Sequence, residues 1–347
     1  MATRKALLCT LGPASFKPRV IAELAEAGVT CFRINMSHTP IADLERRIRQ
    51  IRDATEVPIC LDSEGAQMRT GTMRNDVEVA AGTRVSLVAE EVRGSADRIP
   101  ITPAFAISKL APGSRVSVDF DSVLLRIDAV RDGEAEATAL RGGAVGTRKA
   151  VTAFPTVRLP SFSEKDLLAI RTGLLNGVQE FALSFCEQPS SLHELRQMVG
   201  PASIVMAKIE SRKGVRNLAK IAQLADRLII DRGDLSREVR IEAIPLLQKA
   251  IIRKANALGV PVYVATNLLE SMVTQRTPSR AEVNDVINTL LDGADGLVLA
   301  SETAIGRYPV EATRMIVSLM NEFEVSAGGS RINDLLGDHP LRLPYRP

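Results

Sequence analysis

The chain has 347 residues, of which 45% are hydrophobic and 24% charged, as in an ordinary globular protein with a large core. A net charge of +3 is too small to indicate nucleic-acid binding, and no run approaches the roughly 18 apolar residues of a membrane span. The four cysteines lie in separate apolar runs without a CxxC spacing, and no signal peptide opens the chain. We therefore expect buried thiols in a cytoplasmic protein.

Short apolar runs alternate with amphipathic helical stretches along most of the chain. The predicted strands are Ala6–Thr10, Cys31–Asn35, Pro58–Asp62, Phe181–Phe185, Ile204–Ile209, Arg227–Asp231, Val262–Ala265 and Gly296–Leu299. The predicted helices are Pro18–Ala27, Ile41–Ala54, Lys165–Leu175, Ser191–Val199, Val215–Ala225, Glu242–Leu258, Arg280–Leu291 and Val310–Phe323. Eight strands with helices between them predict an α/β fold, a (β/α)₈ TIM barrel formed by residues 1–71 and 158–325.

One repeat is interrupted after the third strand, where residues 72–157 lose the helical period. Short alternating strands replace it, at Arg84–Val88, Arg115–Val118, Val123–Ile127 and Glu134–Leu140. They predict a small all-β domain inserted at the barrel mouth, where a lid would close on substrate. Residues 326–347 are rich in Gly, Pro and Arg and predict an irregular tail, a candidate contact in a homo-oligomer.

Two strand ends carry an informative group of charges. Lys208 lies near the end of the fifth strand and Glu210 comes directly after it. Both side chains are expected on the same face, because residues two apart in a strand point the same way. Asp234 follows the sixth strand in a turn that contains Gly233. One ammonium beside two carboxylates predicts a divalent-metal site with a cation for an anionic, phosphorylated substrate. For either segment alone, an ion pair that caps two barrel strands is an equally good interpretation.

Further polar residues follow the other strands. Because chemistry in such barrels occurs at the C-terminal ends of the strands, we expect these residues to share one site. A solvated rim is the structural alternative for each of them taken singly. The residues are Arg33, Asn35, Ser37, Asp62, Ser63, Arg232, Thr266, Asn267, Ser301 and Glu302.

Several ordered motifs resemble the pyruvate kinase family over residues 3–323, least closely in the inserted domain. The motifs are Cys9-Thr-Leu-Gly-Pro-Ala-Ser15, Arg33-Ile-Asn-Met-Ser-His38, Leu61-Asp-Ser-Glu-Gly65 with Arg69-Thr-Gly71, Ser163-Glu-Lys-Asp166, Lys208-Ile-Glu210, Arg232-Gly-Asp-Leu235, Ala265-Thr266, Ser279-Arg-Ala-Glu282 and Ser301-Glu-Thr-Ala304. The resemblance implies a barrel with an inserted lid. It also implies phosphoryl transfer between phosphoenolpyruvate and a nucleoside diphosphate, with pyruvate and ATP as products.

The resemblance also implies roles for the residues at the strand ends. Glu210 and Asp234 would ligate Mg²⁺ or Mn²⁺, while Lys208 and Arg33 would neutralise the phosphoryl group in flight. Thr266 would lie near the enolate carbon that is protonated, with water between them.

The remaining implied roles concern the substrate carboxylate, a monovalent cation and the nucleotide. Unpaired backbone N–H groups at Gly233 and Asp234 would hold the carboxylate. K⁺, a cofactor that we leave open, would lie among Asn35, Ser37, Asp62 and Ser63. The ADP or ATP phosphates would be approached by His38, Arg69 and Lys149, and for His38 a purely structural turn position is equally good.

The chain departs from the family pattern at several of these ends. Glu64 and Glu187 stand where the family usually has Lys and Arg, and Ile305 replaces another Lys. Asp231 stands where Ala is usual. A carboxylate in place of a cation repels the phosphates of a nucleotide instead of attracting them. The departures therefore predict weakened binding in the nucleotide half of the active site. Side chains that point away from the cleft are the structural alternative. We expect no counterpart of the family's C-terminal regulatory domain.

Three hypotheses follow. The first is a pyruvate kinase-like phosphotransferase that uses ADP. The second is a divergent enolpyruvate or 2-oxo acid enzyme, namely a lyase, a decarboxylase or a transferase with a non-nucleotide acceptor. The third is a non-catalytic binding protein, and the joint retention of Arg33, Lys208, Glu210, Asp234 and Thr266 argues against it.

Overall fold

A computed structural model describes residues 5–119 and 122–326, and the chain divides into two compact units. One unit is formed by the segments up to Glu64 and from Glu164 onward, and the other by Gly65–Ser163. The expected tail at residues 326–347 lies, from residue 327 onward, outside the described residues. No helix in the described part of the chain has the length and apolar character needed to cross a membrane.

The first unit is a closed barrel of eight parallel strands, which confirms the predicted fold. Its first strand pairs with both the second and the eighth, and the third pairs with the fourth across the insertion. Short, nearly continuous apolar runs form these strands, because the strands of a parallel sheet are buried on both faces. The strands are Ala6–Thr10, Cys31–Asn35, Ile59–Asp62, Glu180–Leu183, Ile204–Ile209, Arg227–Asp231, Val262–Ala265 and Gly296–Leu299.

Helices surround this barrel. They are Pro18–Ala27, Ile41–Ala54, Glu164–Leu175, Pro189–Val199, Arg212–Arg216, Leu218–Ala222, Arg232–Leu235, Ile244–Ala257, Arg280–Leu291, Ser301–Ala304 and Pro309–Ser326, with 3₁₀ turns at Ile241–Ala243 and Glu270–Val273. The single helix predicted at Val215–Ala225 is wrong. Two short helices replace it, because Asn217 ends the first one and donates its side-chain N–H to Glu187 O at 2.7 Å.

Alternate strand residues fill the barrel interior with apolar side chains. These residues are Leu8, Cys31, Cys60, Ala182, Met206, Ile229, Tyr263, Ala265 and Val298. Two positions further along the chain, the same alternation delivers a layer of buried polar residues, which we call the polar layer: Thr10, Arg33, Asp62, Ser184, Lys208 and Asp231. Part of the candidate site is therefore the uppermost layer of the barrel core rather than a solvated rim, whereas Asn267 is exposed.

The second unit is all-β, as predicted. Seven of its strands close into a small barrel and two more form a separate ribbon. Its strands are Met68–Thr70, Val77–Val79, Arg84–Val88, Arg98–Thr102, Arg115–Val118, Val123–Arg131, Glu134–Arg141, Gly143–Val145 and Ala150–Phe154, with a 3₁₀ helix at Ala104–Lys109. The unit extends beyond the expected range 72–157, because Met68–Thr70 pairs with both Arg98–Thr102 and Ala150–Phe154.

The chain leaves the first unit at Glu64 and returns to it at Glu164. These two points are tied together within the barrel, since the N–H of Glu64 donates to Asp166 Oδ1 at 2.6 Å. Asp166 is buried at the start of the helix Glu164–Leu175. This hydrogen bond between two barrel residues links the end of the third strand to the start of its helix.

Candidate active site

Lys208 is the centre of the polar layer. Its Nζ donates to Ser184 Oγ at 3.0 Å and lies 3.1 Å from Glu210 Oε2. Asp62 Oδ2 and Asp231 Oδ2 lie 3.4 and 3.6 Å from the same nitrogen. Burial alone would lower the pKa of Lys208, but the surrounding carboxylates raise it well above its ordinary value. The ammonium is therefore fully charged in the folded protein.

Arg33 supplies a second buried cation beside Lys208. Its Nε donates to Asp62 Oδ2 at 2.7 Å, and its second terminal nitrogen donates to the same oxygen. The remaining terminal nitrogen donates to Thr10 Oγ1 at 2.8 Å. Both side chains of the Arg33–Asp62 pair are buried, so the guanidinium is held in one orientation.

Asp231, which the sequence marked only as a departure from the family pattern, contacts Thr266. Thr266 Oγ1 donates to Asp231 Oδ1 at 2.8 Å. Burial opposes the ionisation of Asp231, but Lys208, Thr266 and Arg33 together hold the pKa of its carboxyl below the ordinary value. Asp231 is therefore a carboxylate that accepts the threonine's hydroxyl hydrogen.

The backbone of Thr266 is also held in place. Its φ of 78° is unusual for a β-branched residue. The Nε and one terminal nitrogen of Arg232 donate to Thr266 O at 3.0 and 2.6 Å, and the other terminal nitrogen binds both oxygens of Asp285 at 3.0 and 2.8 Å. The Arg232 guanidinium is therefore engaged by the backbone of Thr266 and by Asp285.

Three carboxylates, of Glu210, Asp231 and Asp234, form a cluster in which one oxygen of each lies within 4.8 Å of the others. Glu210 Oε1 accepts from the N–H of Phe185 at 2.5 Å, whereas buried Oε2 makes no hydrogen bond with the described residues. Its 3.1 Å contact with Lys208 is a charge contact without hydrogen-bond geometry. Burial and the neighbouring carboxylates raise the pKa of Glu210, and Lys208 opposes them.

This donor set fits a divalent cation. Mg²⁺ and Mn²⁺ prefer carboxylate oxygens, and the cluster offers three of them. A buried carboxylate oxygen without a hydrogen bond is rare in folded proteins. Glu210 belongs to the cluster, and its Oε2 is such an oxygen among the described residues, so the residues present fit the metal that the sequence predicted.

The expectation of two unpaired N–H groups at Gly233 and Asp234 is wrong for Asp234. The helix Arg232–Leu235 is capped by the Asp231 side chain, whose Oδ1 accepts from the N–H of Asp234 at 3.4 Å. Gly233 has a steric role here, since a Cβ at this position would lie 2.9 Å from Thr266 Cγ2. The turn can approach Thr266 this closely only with glycine.

The residues expected to form a monovalent-cation site lie at the ends of adjacent strands. Asn35 and Asp62 are register partners on the second and third strands. Asn35 Oδ1 accepts from the N–H of Ser37, and Ser63 Oγ accepts from the N–H of Ser184, each at 2.9 Å. The structure thus brings all four residues together, although the Asp62 carboxylate is already engaged by two cations.

The residues expected near the nucleotide phosphates are divided between the two units. His38 is exposed in the turn after the second barrel strand. Arg69 and Lys149 lie side by side in the inserted unit, because Arg69 is the register partner of Ala150. Lys149 Nζ is 2.9 Å from Asp119 Oδ2, so this lysine has a partner of its own.

Two of the charge reversals are neutralised locally. Glu64 Oε2 lies 3.3 Å from Lys165 Nζ, and Glu187 Oε2 lies 3.0 Å from Lys213 Nζ. Ile305 is 62% exposed. The two carboxylates therefore act as members of ion pairs rather than as isolated negative charges, and the repulsion expected from the sequence is reduced.

Residue-by-residue reasoning missed Thr10 and Ser184, and it gave Asp231 no role in the site. The signal that finds them is the alternation of the barrel interior. Each of the three residues lies two positions after an apolar residue that faces the barrel interior, either within the same strand or directly after its end. Ser184 is the most consequential of the three, since its Oγ accepts from Lys208 and donates to Asp62 Oδ1 at 3.2 Å.

Comparison with known proteins addresses the family directly. A sequence model of the pyruvate kinase barrel domain matches residues 2–313. The chain belongs to the pyruvate kinase family.

Curated pyruvate kinases match nearly the whole chain. That of Geobacillus stearothermophilus is 37% identical over 90% of the chain, that of Thermococcus litoralis 33% over 97%, and that of Methylorubrum extorquens 35% over 93%. The aligned part covers 56%, 74% and 69% of those relatives, respectively. The chain thus spans little more than half the length of the first of these pyruvate kinases.

Proposed function

We propose that the chain catalyses divalent-metal-dependent phosphoryl transfer between phosphoenolpyruvate and a nucleoside diphosphate. One observation carries the proposal. Lys208 lies in a buried layer beside Arg33 and next to the carboxylate cluster of Glu210, Asp231 and Asp234, and Glu210 Oε2 has no hydrogen-bond partner among the described residues. Two fixed cations beside a divalent-metal site suit an oxygen-rich anion that carries both a carboxylate and a phosphate.

The residues of the candidate active site have different roles in the proposed reaction. Glu210 and Asp234 would hold Mg²⁺ or Mn²⁺, which supplies charge neutralisation to the substrate oxygens when bound. Lys208 and Arg33 stabilise charge on the phosphoryl group, and Asp62 fixes both cations in place. Thr266 directly follows the strand Val262–Ala265, which pairs with the strand of Asp231, and would serve protonation of the enolate.

A nucleoside diphosphate is the favoured acceptor. The case for a lyase, a decarboxylase or a non-nucleotide acceptor came from a trimmed inserted domain and from Glu64, Glu187 and Ile305. Each of the two glutamates is paired with a lysine. Arg69 and Lys149 of the inserted unit and His38 of the barrel are the proposed nucleotide contacts. Asn35, Ser37, Asp62 and Ser63 are the proposed K⁺ site. We further propose a cytoplasmic enzyme that forms a homo-oligomer.

The test is a coupled assay that follows pyruvate formation from phosphoenolpyruvate and ADP. It is run with Mg²⁺ and with Mn²⁺, each with and without K⁺. Calorimetry with ADP then measures the nucleotide half separately from the enolpyruvate half, which is probed by oxalate in the presence of Mn²⁺. Absence of pyruvate under every combination would overturn the proposal. Oxalate binding without ADP binding would revive the second hypothesis.

A further inference from the structure

The contact between Asp231 and Thr266 joins a fixed acceptor to a fixed backbone. Thr266 O is held by two N–H groups of Arg232, which is itself anchored on Asp285. Thr266 Oγ1 donates to Asp231 Oδ1 at 2.8 Å. The carbonyl and the hydroxyl of Thr266 are therefore both held in place. Its backbone φ of 78° is one that few β-branched residues adopt.

The direction of the threonine's hydroxyl hydrogen follows from counting donors. A hydroxyl has one hydrogen and two lone pairs, whereas a carboxylate only accepts. Once that hydrogen is given to Asp231, Thr266 Oγ1 can meet the substrate side of the layer only as an acceptor. A water that donates to it then has its second hydrogen free for another group.

We propose that Asp231 is a positioning residue, which orients the Thr266 hydroxyl so that it holds the water that protonates the enolate carbon. This inference rests on the proposed function. In the forward step the electron pair of the enolate double bond forms a new C–H bond with a proton of that water. The hydroxide left behind is reprotonated by solvent. In the reverse step a methyl C–H bond of pyruvate breaks and its proton passes to hydroxide at the same place.

The reverse step provides a test that needs no nucleotide. Proton NMR in deuterated water follows loss of the pyruvate methyl signal, with Mg²⁺, K⁺ and inorganic phosphate present. Asp231→Asn retains an oxygen that can accept the hydroxyl hydrogen, whereas Asp231→Leu has similar size without an acceptor. We expect the leucine variant to exchange at least about tenfold more slowly than the unmodified chain, and the asparagine variant to exchange clearly faster than the leucine variant. The pyruvate concentration for half-maximal rate should stay within about threefold in both variants.

A double-variant experiment separates positioning from general damage. Thr266→Val removes the hydroxyl and should slow exchange about as much as Asp231→Leu. The combined variant should be no slower than either single one, because both changes remove the same interaction. Mn²⁺ affinity and thermal unfolding are measured for each variant, so that a loss of metal or of fold is seen directly.

Several outcomes would overturn the inference. Equal exchange in the unmodified chain and Asp231→Leu would show that Asp231 positions nothing, as would faster exchange in Asp231→Leu. Equally slow asparagine and leucine variants would assign the effect to charge. If Asp231→Leu does not fold, unchanged exchange in Thr266→Val still contradicts the inference. Absence of exchange in the unmodified chain would remove the enolate chemistry and this inference together. Failure of ADP phosphorylation alone would overturn only the proposed function.

Discussion

Arg33 and Lys208 share a single acceptor, Oδ2 of Asp62. Arg33 directs two N–H groups at this oxygen, and Lys208 Nζ lies 3.4 Å from it. Asp62 is fully buried. The carboxylate therefore sets the spacing of the two cations that the proposed phosphoryl transfer needs. A preorganised pair of cations does not have to reorganise when charge develops.

The Arg33–Asp62 pair should be strongly coupled. We expect Arg33→Met to destabilise the protein by roughly 3–5 kcal/mol, because it leaves a buried carboxylate without its closest partner. In a double-mutant cycle measured by urea unfolding, adding Asp62→Leu to Arg33→Met should restore much of the lost free energy of unfolding. The exposed pair Arg49–Glu45, at 2.9 Å, is the matched control and should show a coupling below about 1 kcal/mol. Similar coupling in the two pairs would contradict the prediction.

Lys208→Met should lower kcat by roughly 100- to 1,000-fold, as expected for loss of a fixed charge at the reacting group. The same change leaves Asp62, Glu210 and Asp231 around an uncharged side chain, so we also expect a lower melting temperature. The coupled assay and thermal unfolding measure the two effects. Lys208→Arg keeps the charge and should restore more stability than activity. A methionine variant with more than a tenth of the original kcat would refute the assignment.

Glu210→Gln should weaken Mn²⁺ binding by at least the roughly 10–100-fold that loss of an outer-sphere partner costs. The reason is that Oε2 has no hydrogen-bond partner among the described residues. Mn²⁺ titration by electron paramagnetic resonance measures the affinity. Glu302→Gln is the control, since buried Glu302 accepts from the N–H groups of Leu269 and Ala300 at 3.0 and 2.9 Å. Equal losses in both variants would argue against a metal at Glu210.

Gly233→Ala should destabilise the protein by roughly 1–3 kcal/mol, because the added Cβ would lie 2.9 Å from Thr266 Cγ2. The double variant Gly233→Ala with Thr266→Ser is the sharp control. Serine keeps the hydroxyl and lacks the obstructing methyl group, so most of the stability should return. Thermal unfolding of the three variants decides the matter. An unrelieved loss in the double variant would place the clash elsewhere.

Stability should fall at alkaline pH. Burial raises the pKa of the Cys9 thiol from 9.0 to about 12 and that of the Tyr263 phenol from 10.0 to about 12. A group whose pKa is raised by folding stabilises the protein fully below its unfolded pKa. That contribution is lost as the pH rises towards the folded pKa. Urea unfolding between pH 8 and 11 should show the decline, at roughly 1.4 kcal/mol per pH unit for a fully titrating group.

Cys9→Val is the control for this pH dependence. Valine fills a similar volume without a titrating group, so the slope of stability against pH above about pH 9 should be reduced. An identical slope in both proteins would mean that Cys9 does not carry the effect. All measurements are made with reductant, because the four cysteines are free thiols.

The sequence predicted the barrel well because its signal is local. Buried parallel strands read as apolar runs that end in charge, and the bounds of six barrel strands coincide with the structure, including Ile204–Ile209 and Arg227–Asp231. The fourth strand was shifted. It ends at Leu183, since Phe185 takes a φ of 50° and gives its N–H to Glu210. No sequence pattern announces that turn.

What the sequence left open depends on contacts between distant segments. Met68–Thr70 and Gly143–Val145 are too short to show an alternation, and they exist as strands because other segments pair with them. The contact of Asp231 with Thr266 joins two strand ends through a left-handed turn. The alternation places Asp231 in the layer, but it does not indicate which hydroxyl the carboxylate receives.

The hydrogen bond from Glu64 to Asp166 joins the two barrel residues that flank the inserted unit. The two ends of the excursion are held by residues of the barrel. The entropy of closing a loop grows only with the logarithm of its length, by about 0.6 kcal/mol for each doubling. Residues 65–163 can therefore be shortened, lengthened or exchanged in evolution at little thermodynamic cost to the barrel. The barrel can therefore accept different inserted domains at this position.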